Sequence, residues 1–88
     1  MTIIKILQLI DSTLIITEIE ELPSELGEPD CKLINPFKIK KTTNDEVFLE
    51  SWNSFYTDQN TFMIHSDKIL TIINPKQSIL EKYQIVTK

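Results

Sequence analysis

The sequence predicts a mainly β domain, a small, strongly bent, open barrel of five strands with a short C-terminal helix. Composition is the first reason, because fifteen Ile, no Ala and one Gly favour pleated strand surface over helix. The second is that short apolar segments alternate with clusters of turn-forming residues, which is typical of small barrels. With 88 residues the chain has room for one core, so we expect a single domain over 1–88.

The first two apolar segments predict an antiparallel hairpin. Residues 3–10 are a nearly continuous apolar run, and residues 11–13, Asp-Ser-Thr, supply turn chemistry. Residues 14–21 then alternate as a strand does. A helix over 18–26 is the competing interpretation, but Pro23 and Gly27 would reduce it to little more than a turn.

The middle of the chain predicts two more strands. A loop over 23–30 precedes a strand over 31–40, and a polar loop over 40–45 leads to a strand over 47–56 with apolar residues on both faces. Pro36 lies inside the earlier of these strands and has no N–H to donate. The strand must therefore lie at an edge there, bend, or carry a bulge.

The stretch 61–75 predicts a bent hairpin, two apolar strands joined by a polar turn. Strand residues 62–64 run into the turn and residues 69–73 run out of it. We call the turn the elbow, and it consists of His65, Ser66, Asp67 and Lys68. All strands are thus expected within 1–73.

One short helix is predicted over about residues 75–85. Asn74 is its expected N-cap, Pro75 takes the first helical position, and Gln77 is the capping-box partner. Its apolar face is formed by Ile79, Leu80 and Tyr83. A helix this short needs to dock onto the barrel or a neighbouring subunit.

Charge and cysteine content limit the classes of function. Thirteen acidic residues against nine lysines and no arginine give a net charge of −4, which argues against an extended phosphate-binding surface but leaves a local basic patch open. Cys31 is the single cysteine, so no intramolecular disulfide forms and no metal-ligand spacing is present. It fits a reducing cytosol, as a small core or edge residue.

The sequence gives no sign of a membrane or an export signal. No apolar run approaches the roughly 20 residues that span a bilayer, and residues 1–3 lack the basic start of a signal peptide. We therefore expect a cytoplasmic protein with no membrane partner.

No catalytic centre, metal site or cofactor is predicted, so we expect that the protein is not an enzyme. His65 has no second His or Cys nearby in sequence, and a plain polar loop histidine is the alternative. A triad of His65, Ser66 and Asp67 is unsuitable, because adjacent residues on a turn point away from one another. The sequence also has no glycine-rich phosphate loop.

Two further features have two interpretations each. The run 18–28 contains five glutamates and is either a solvated hairpin end or a surface for contact with a protein. The aromatic residues Trp52, Phe55 and Tyr56 either pack in the core or a subunit interface, or stack on bases.

The elbow and its flanking strands resemble the second signature of the Sm and Sm-like (LSm) RNA-binding proteins. That signature is an aliphatic strand ending in Arg-Gly-Asp or Arg-Gly-Asn, one free residue, then alternating aliphatics. In this chain His65 stands in place of Arg, Ser66 in place of Gly, and Asp67 is kept. Residues 30–35 resemble the first signature, Asp followed shortly by Asn, but are one residue longer. The terminal helix also departs from the family, whose usual helix precedes the first strand.

The whole chain is similar to a group of short Sm-like proteins of marine viral origin, from cyanophage. The matching pieces are residues 18–22, 27–36 and 62–75. The resemblance implies a homo-oligomeric ring, with a pentamer as one candidate size, in the cytoplasm of a host cell. Association would also suit a chain this short, which buries only roughly two-thirds of its unfolded surface.

The resemblance further implies that single-stranded RNA, or DNA, binds at a central pore lined by the loop after the second strand and by the elbow. The implied nucleic-acid-binding residues are His65, Ser66, Asp67, Lys68, Lys32 and Asn35. His65 would stack on or hydrogen-bond a base, Lys68 would meet phosphate, and Asn35 would contact a base edge. An imidazole is a weaker substitute for the family's Arg, so we expect modest, salt-dependent affinity. The alternative is a structural or adaptor ring of a phage that binds protein partners and has lost nucleic-acid binding.

Overall fold

The fold is mainly β, with antiparallel strands followed by one C-terminal helix. The computed structural model describes residues 3–87. Its elements are β1 (Ile3–Leu9), β2 (Leu14–Glu21), β3 (Cys31–Lys41), β4 (Val47–Ser51), β5 (Thr61–Ile64), β6 (Ile69–Ile73) and α1 (Gln77–Val86). The predicted fold class is confirmed at this level, but the prediction of five strands was wrong, because residues 3–87 contain six.

The strands form one sheet that does not close. Its order is β4-β3-β2-β1-β6, and β5 pairs with β3 beside β4. All of these pairs are antiparallel. The sheet therefore has open edges at both ends, β6 at one and β4 and β5 at the other.

The sixth strand arises from a bend in the middle of β3. The first part of β3 pairs with β5 and its last part, from Phe37, pairs with β4. Between them Asn35 has a φ of 53°, which Asn tolerates better than most residues, and Pro36 has no N–H to donate. The predicted strand over 47–56 therefore ends at Ser51, and the chain turns away until β5 begins.

The bend in β3 is a bulge whose polar groups are satisfied by two side chains. Two residues of β3 lie opposite the single Thr17 of β2, where the register shifts. The Thr17 hydroxyl lies 3.0 Å from the Ile34 carbonyl oxygen. The Tyr83 hydroxyl, from α1, lies 3.1 and 3.0 Å from the carbonyl oxygens of Ile34 and Asn35 and accepts the Glu18 N–H at 3.2 Å.

Both faces of the sheet carry core residues. One buried cluster consists of Leu7, Leu9, Ile15 and Leu33, with Trp52 and Phe62 packed against it. The other consists of Ile6, Ile16 and Tyr83. Because successive strand residues point to opposite faces, the bent sheet encloses the first cluster and α1 covers the second.

The helix α1 begins two residues later than predicted, and its cap is different. Lys76, not Asn74, is the N-cap residue, with extended backbone and no side-chain cap. The Asn74 side-chain oxygen instead accepts a hydrogen bond from the Lys5 ammonium of β1, so it is not free to cap. The expected capping box with Gln77 is therefore not formed. Within residues 3–87 no helix has the length and apolar character needed to cross a membrane.

Candidate nucleic-acid interface

The elbow is a short, hydrogen-bonded turn between β5 and β6. Residues Ser66–Lys68 form one turn of 3₁₀ helix, closed by the Lys68 N–H donating to the His65 carbonyl at 3.0 Å. The Lys68 carbonyl in turn accepts the Ile10 N–H at 3.0 Å, which fastens the elbow to the turn between β1 and β2. The backbone of the elbow is thus fixed at both ends.

Asp30 clamps the elbow from the loop that precedes β3. The register Cys31 to Ile64 brings Asp30 opposite the start of the elbow. The Ser66 N–H donates to one carboxylate oxygen of Asp30 at 2.7 Å, and the Ser66 hydroxyl donates to the other at 2.6 Å. These two bonds from Ser66, with a smaller effect of His65, hold the pKa of Asp30 below its usual value.

The loop between β2 and β3 lies against the elbow and forms the wall of a cleft. The Leu22 N–H donates to the Asp30 carbonyl at 2.9 Å and closes the base of the loop. A turn at its tip joins the Glu28 N–H to the Glu25 carbonyl at 3.0 Å, with Gly27 at a φ of 90° that favours glycine. The cleft between loop and elbow has a volume of about 570 Å³.

The cleft is acidic. Its acidic lining residues are Glu25, Glu28, Asp30 and Asp67, and His65 is the basic one. Phosphate groups are repelled by such a surface, whereas base edges carry N–H donors that carboxylates accept.

The Ser66 hydroxyl is not paired with the neighbouring histidine. It donates to Asp30 and not to His65, so the Ser-His pair of a hydrolase triad is not formed at the elbow. Within residues 3–87 no group of three or more His, Cys, Asp and Glu side chains is arranged to hold a metal ion.

The other two predicted site residues lie on β3 at different distances from the elbow. Lys32 lies two residues after Asp30. It pairs with Met63 of β5 and with Glu20 of β2. Asn35 lies at the bend, where its N–H donates to the Asn60 carbonyl at 2.7 Å, at the opposite end of β5. The structure thus brings the elbow residues together with Asp30, has Lys32 near them, and separates Asn35 from them.

Sequence reasoning missed Asp30 as a site residue, and it interpreted the glutamates of the cleft only as a solvated hairpin end or a surface for contact with a protein. Asp30 precedes β3 directly, so an antiparallel pairing of residues 31–34 with 61–64 would have brought it to the elbow. That pairing is a long-range register, which the local apolar pattern does not encode.

Two open strand edges flank the elbow. Within residues 3–87, β5 pairs only with β3, and β6 pairs only with β1. Apolar side chains on these edges are exposed, with Leu70 63%, Ile72 54% and Met63 55% accessible. A groove of about 390 Å³ beside β6 is lined by three isoleucines and three charged residues, Ile3, Ile19, Ile72, Lys5, Glu20 and Glu21. Exposed apolar edge strands of this kind recruit other strands.

Residues 2–88 match a protein family described as "Family of unknown function (DUF6561)". The chain belongs to the DUF6561 family. No curated protein matches it. The description of DUF6561 assigns no activity.

Proposed function

We propose that this DUF6561 protein forms a homo-oligomeric Sm-like ring that binds single-stranded nucleic acid, RNA first and DNA as the alternative, without catalysis. The observation that carries the proposal is the clamp from Asp30 to Ser66. It holds together the two segments that the Sm-like resemblance assigns to the pore, the loop after the second strand and the elbow. The role would lie in viral or host RNA or DNA processing in a host cytoplasm.

The sheet topology supports an Sm-like interpretation of the fold. In it, β4 and β5 together take the place of one strand, since both pair with the same edge of β3. The interruption between β4 and β5 lies opposite the bend of β3 at Asn35 and Pro36. The five predicted strands then correspond to β1, β2, β3, the interrupted β4 and β5, and β6.

The two open edges support assembly into a ring. The outer edge of β5 in one subunit would pair with the outer edge of β6 in the next, which is a head-to-tail contact. Such contacts generate a ring when the rotation between subunits closes. The contact would cover Met63, Leu70 and Ile72, and a pentamer remains one candidate size.

Each elbow residue has a proposed role in binding. His65, half-buried at the rim of the cleft, would stack on a base, while the exposed Lys68 would meet a phosphate. Ser66 already donates to Asp30, so its contribution is to hold the elbow in shape. Asp67 would accept N–H groups of a base edge, and Lys32 would meet phosphate beyond the cleft. Asn35 would contact the nucleic acid only at a point away from the elbow.

Fluorescence anisotropy of labelled oligo-A and oligo-U, with the matching DNA oligomers, tests this function. We expect binding at about 50 mM salt that weakens steeply as salt rises, because each phosphate contact releases counterions. The double variant His65→Ala, Lys68→Ala should lose most of this binding.

Lys82→Ala is the matched control, because Lys82 is an exposed lysine on α1, away from the elbow. It should bind as the unmodified protein does. Absence of binding at low salt, or binding equal in the double variant and the control, would reject nucleic-acid binding at the elbow.

The acidity of the cleft favours a second candidate function, a structural or adaptor ring that binds a protein. Leu26 is fully exposed at the tip of the loop, between Glu25 and Glu28. An exposed leucine framed by carboxylates suits a basic partner segment with an apolar anchor. A ring that assembles but binds no oligonucleotide at low salt would favour this candidate over the first.

A further inference from the structure

Two aromatic side chains stand exposed on the turn that follows β4. Phe55 is 91% and Tyr56 83% accessible, and their ring centroids are 5.3 Å apart in an edge-to-face arrangement at 76°. The edge of one ring covers one face of the other in this arrangement, and at these exposures each ring keeps a broad face open to solvent. Adjacent large aromatic residues exposed to this degree indicate an interaction surface.

The turn that carries these rings is anchored to the core. The Trp52 N–H donates to the Pro36 carbonyl at 3.0 Å, and the Trp52 ring packs against Phe62 with centroids 5.3 Å apart. The Tyr56 N–H then donates to the Asn53 carbonyl at 3.0 Å. The two exposed rings thus stand on a hydrogen-bonded support, and we call them the aromatic platform.

The platform borders a cleft of about 290 Å³ that mixes aromatic and polar side chains. Lys38 lines it between two carboxylates, Asp11 and Glu50. The cation contributes to lowering the pKa of both acids, after the larger effects of Thr13 on Asp11 and Lys40 on Glu50. An apolar occupant would desolvate these charges without replacing their hydrogen bonds. A nucleobase has a flat face for stacking and an edge with both donors and acceptors.

The platform cleft and the elbow both adjoin the turn between β1 and β2. Ile10 of the turn between β1 and β2 donates its N–H to the Lys68 carbonyl at the end of the elbow. Asp11 and Thr13 of that turn line the platform cleft. A single strand leaving the elbow along this turn would therefore arrive at the platform.

We propose that Phe55 and Tyr56 form a second base-stacking site, for a further nucleotide of the strand that the elbow binds. This inference rests on the proposed function and extends it from one contact point to a path across each subunit. Stacking on an aromatic ring is open to any base, so this site adds affinity and length dependence without base selectivity.

The test uses two lengths of oligonucleotide and a reporter at the platform. Trp52 is the chain's single tryptophan and lines the platform cleft, so its fluorescence responds there. RNA and DNA oligomers of about 4 and about 16 nucleotides are titrated into the full chain. We expect the longer oligomers, of either or both types, to quench Trp52 and bind more tightly than the short ones.

The variant Phe55→Ala, Tyr56→Ala should bind the long oligomer about tenfold more weakly and lose the quenching, with the short oligomer unaffected. Because both side chains are exposed, the fold should be retained. Phe48→Ala, an exposed phenylalanine outside the platform cleft, is the matched control. A variant Phe55→Leu, Tyr56→Leu keeps apolar surface without ring faces and should behave as the alanine variant does.

Three results would overturn the inference: long-oligomer binding unchanged in the alanine variant, full binding by the leucine variant, or an altered oligomer mass in light scattering, which would make the platform a subunit contact. Failure of the proposed function itself has a different signature. In that case the unmodified protein would bind neither length, or the elbow double variant would bind the short oligomer normally.

Discussion

Tyr83 joins the helix α1 to the strands β2 and β3. It is fully buried, packs edge-to-face on Phe37 with centroids 6.0 Å apart, and its hydroxyl serves the bulge of β3 and the neighbouring strand β2. We expect Tyr83→Phe to lower the free energy of unfolding by about 1–3 kcal/mol, because buried backbone groups lose their partner. Urea denaturation measures this, with Tyr56→Phe as a control that should be neutral. A neutral Tyr83→Phe would contradict the assignment.

The same residue gives the stability of the protein an alkaline limit. Burial raises the pKa of Tyr83 to about 12, above the value of about 10 for an unfolded chain. The hydroxyl must lose its proton to become charged, so its contribution is complete below pH 10 and is lost as pH rises from 10 through 12. This part of the alkaline destabilisation should be missing from Tyr83→Phe and present in Tyr56→Phe.

The hydrogen bonds between Asp30 and Ser66 have the opposite dependence on pH, because they are lost in acid and not in alkali. Its pKa lies below the usual value because Ser66 donates two bonds to the charged form. The clamp is therefore intact at neutral pH and is lost only as pH falls through the lowered pKa. We expect Asp30→Ala to speed hydrogen exchange of the Ser66 amide at neutral pH, since the alanine side chain has no oxygen to accept its N–H. NMR measures the exchange, with Asp67→Ala as the control, and unchanged protection in Asp30→Ala would refute the clamp.

At the scale of elements, the strands set by local alternation were predictable. The strand over 14–21 has the predicted bounds, and β3 begins at Cys31 as expected. The strand over 47–56 was overextended because Phe55 and Tyr56 continue the apolar alternation, while its end is decided by the bulge in a different strand. The prediction of Asn74 as the N-cap of α1 was wrong for a similar reason, because the Asn74 side chain bonds to Lys5, a residue distant in sequence.

The candidate site was predictable in part for the same reason. The elbow is a local feature, a polar turn between apolar strands, and both the pattern and the Sm-like resemblance indicate it. Asp30 joins it only through the register of β3 with β5. Asn35 was assigned to the site by its place after Asp30, but the bulge takes it to the other end of β5.

The strand β6 has the composition of a buried strand and the exposure of an edge. Leu70, Ile72 and Ile73 are all exposed within residues 3–87, although they belong to an apolar run that only Thr71 interrupts. We infer that a neighbouring subunit covers them. A lysine at position 72 should leave the subunit folded, since Ile72 is 54% accessible, but should block pairing of the edge. Ile85→Lys on α1, at another exposed isoleucine, is the matched control.

At the scale of the whole molecule, an open sheet and an acidic surface act together. The open sheet leaves β5 and β6 free for assembly, and the net charge of −4 per chain multiplies with the number of subunits. An assembled ring would repel a phosphate backbone except near Lys68 of the elbow and Lys32 of β3. The proposed binding of bases in the cleft, with modest affinity and strong salt dependence, is consistent with this charge distribution.

Sedimentation velocity with a fluorescently labelled oligo-A tests assembly and binding together. With the unmodified protein and with Ile85→Lys, the label should sediment at low salt with an oligomer several times heavier than the 10.3 kDa chain. With Ile72→Lys, the protein should sediment as a folded monomer and the label should remain free. A label that stays free beside an assembled oligomer, or that moves with the monomeric variant, would contradict a ring that binds nucleic acid at its pore.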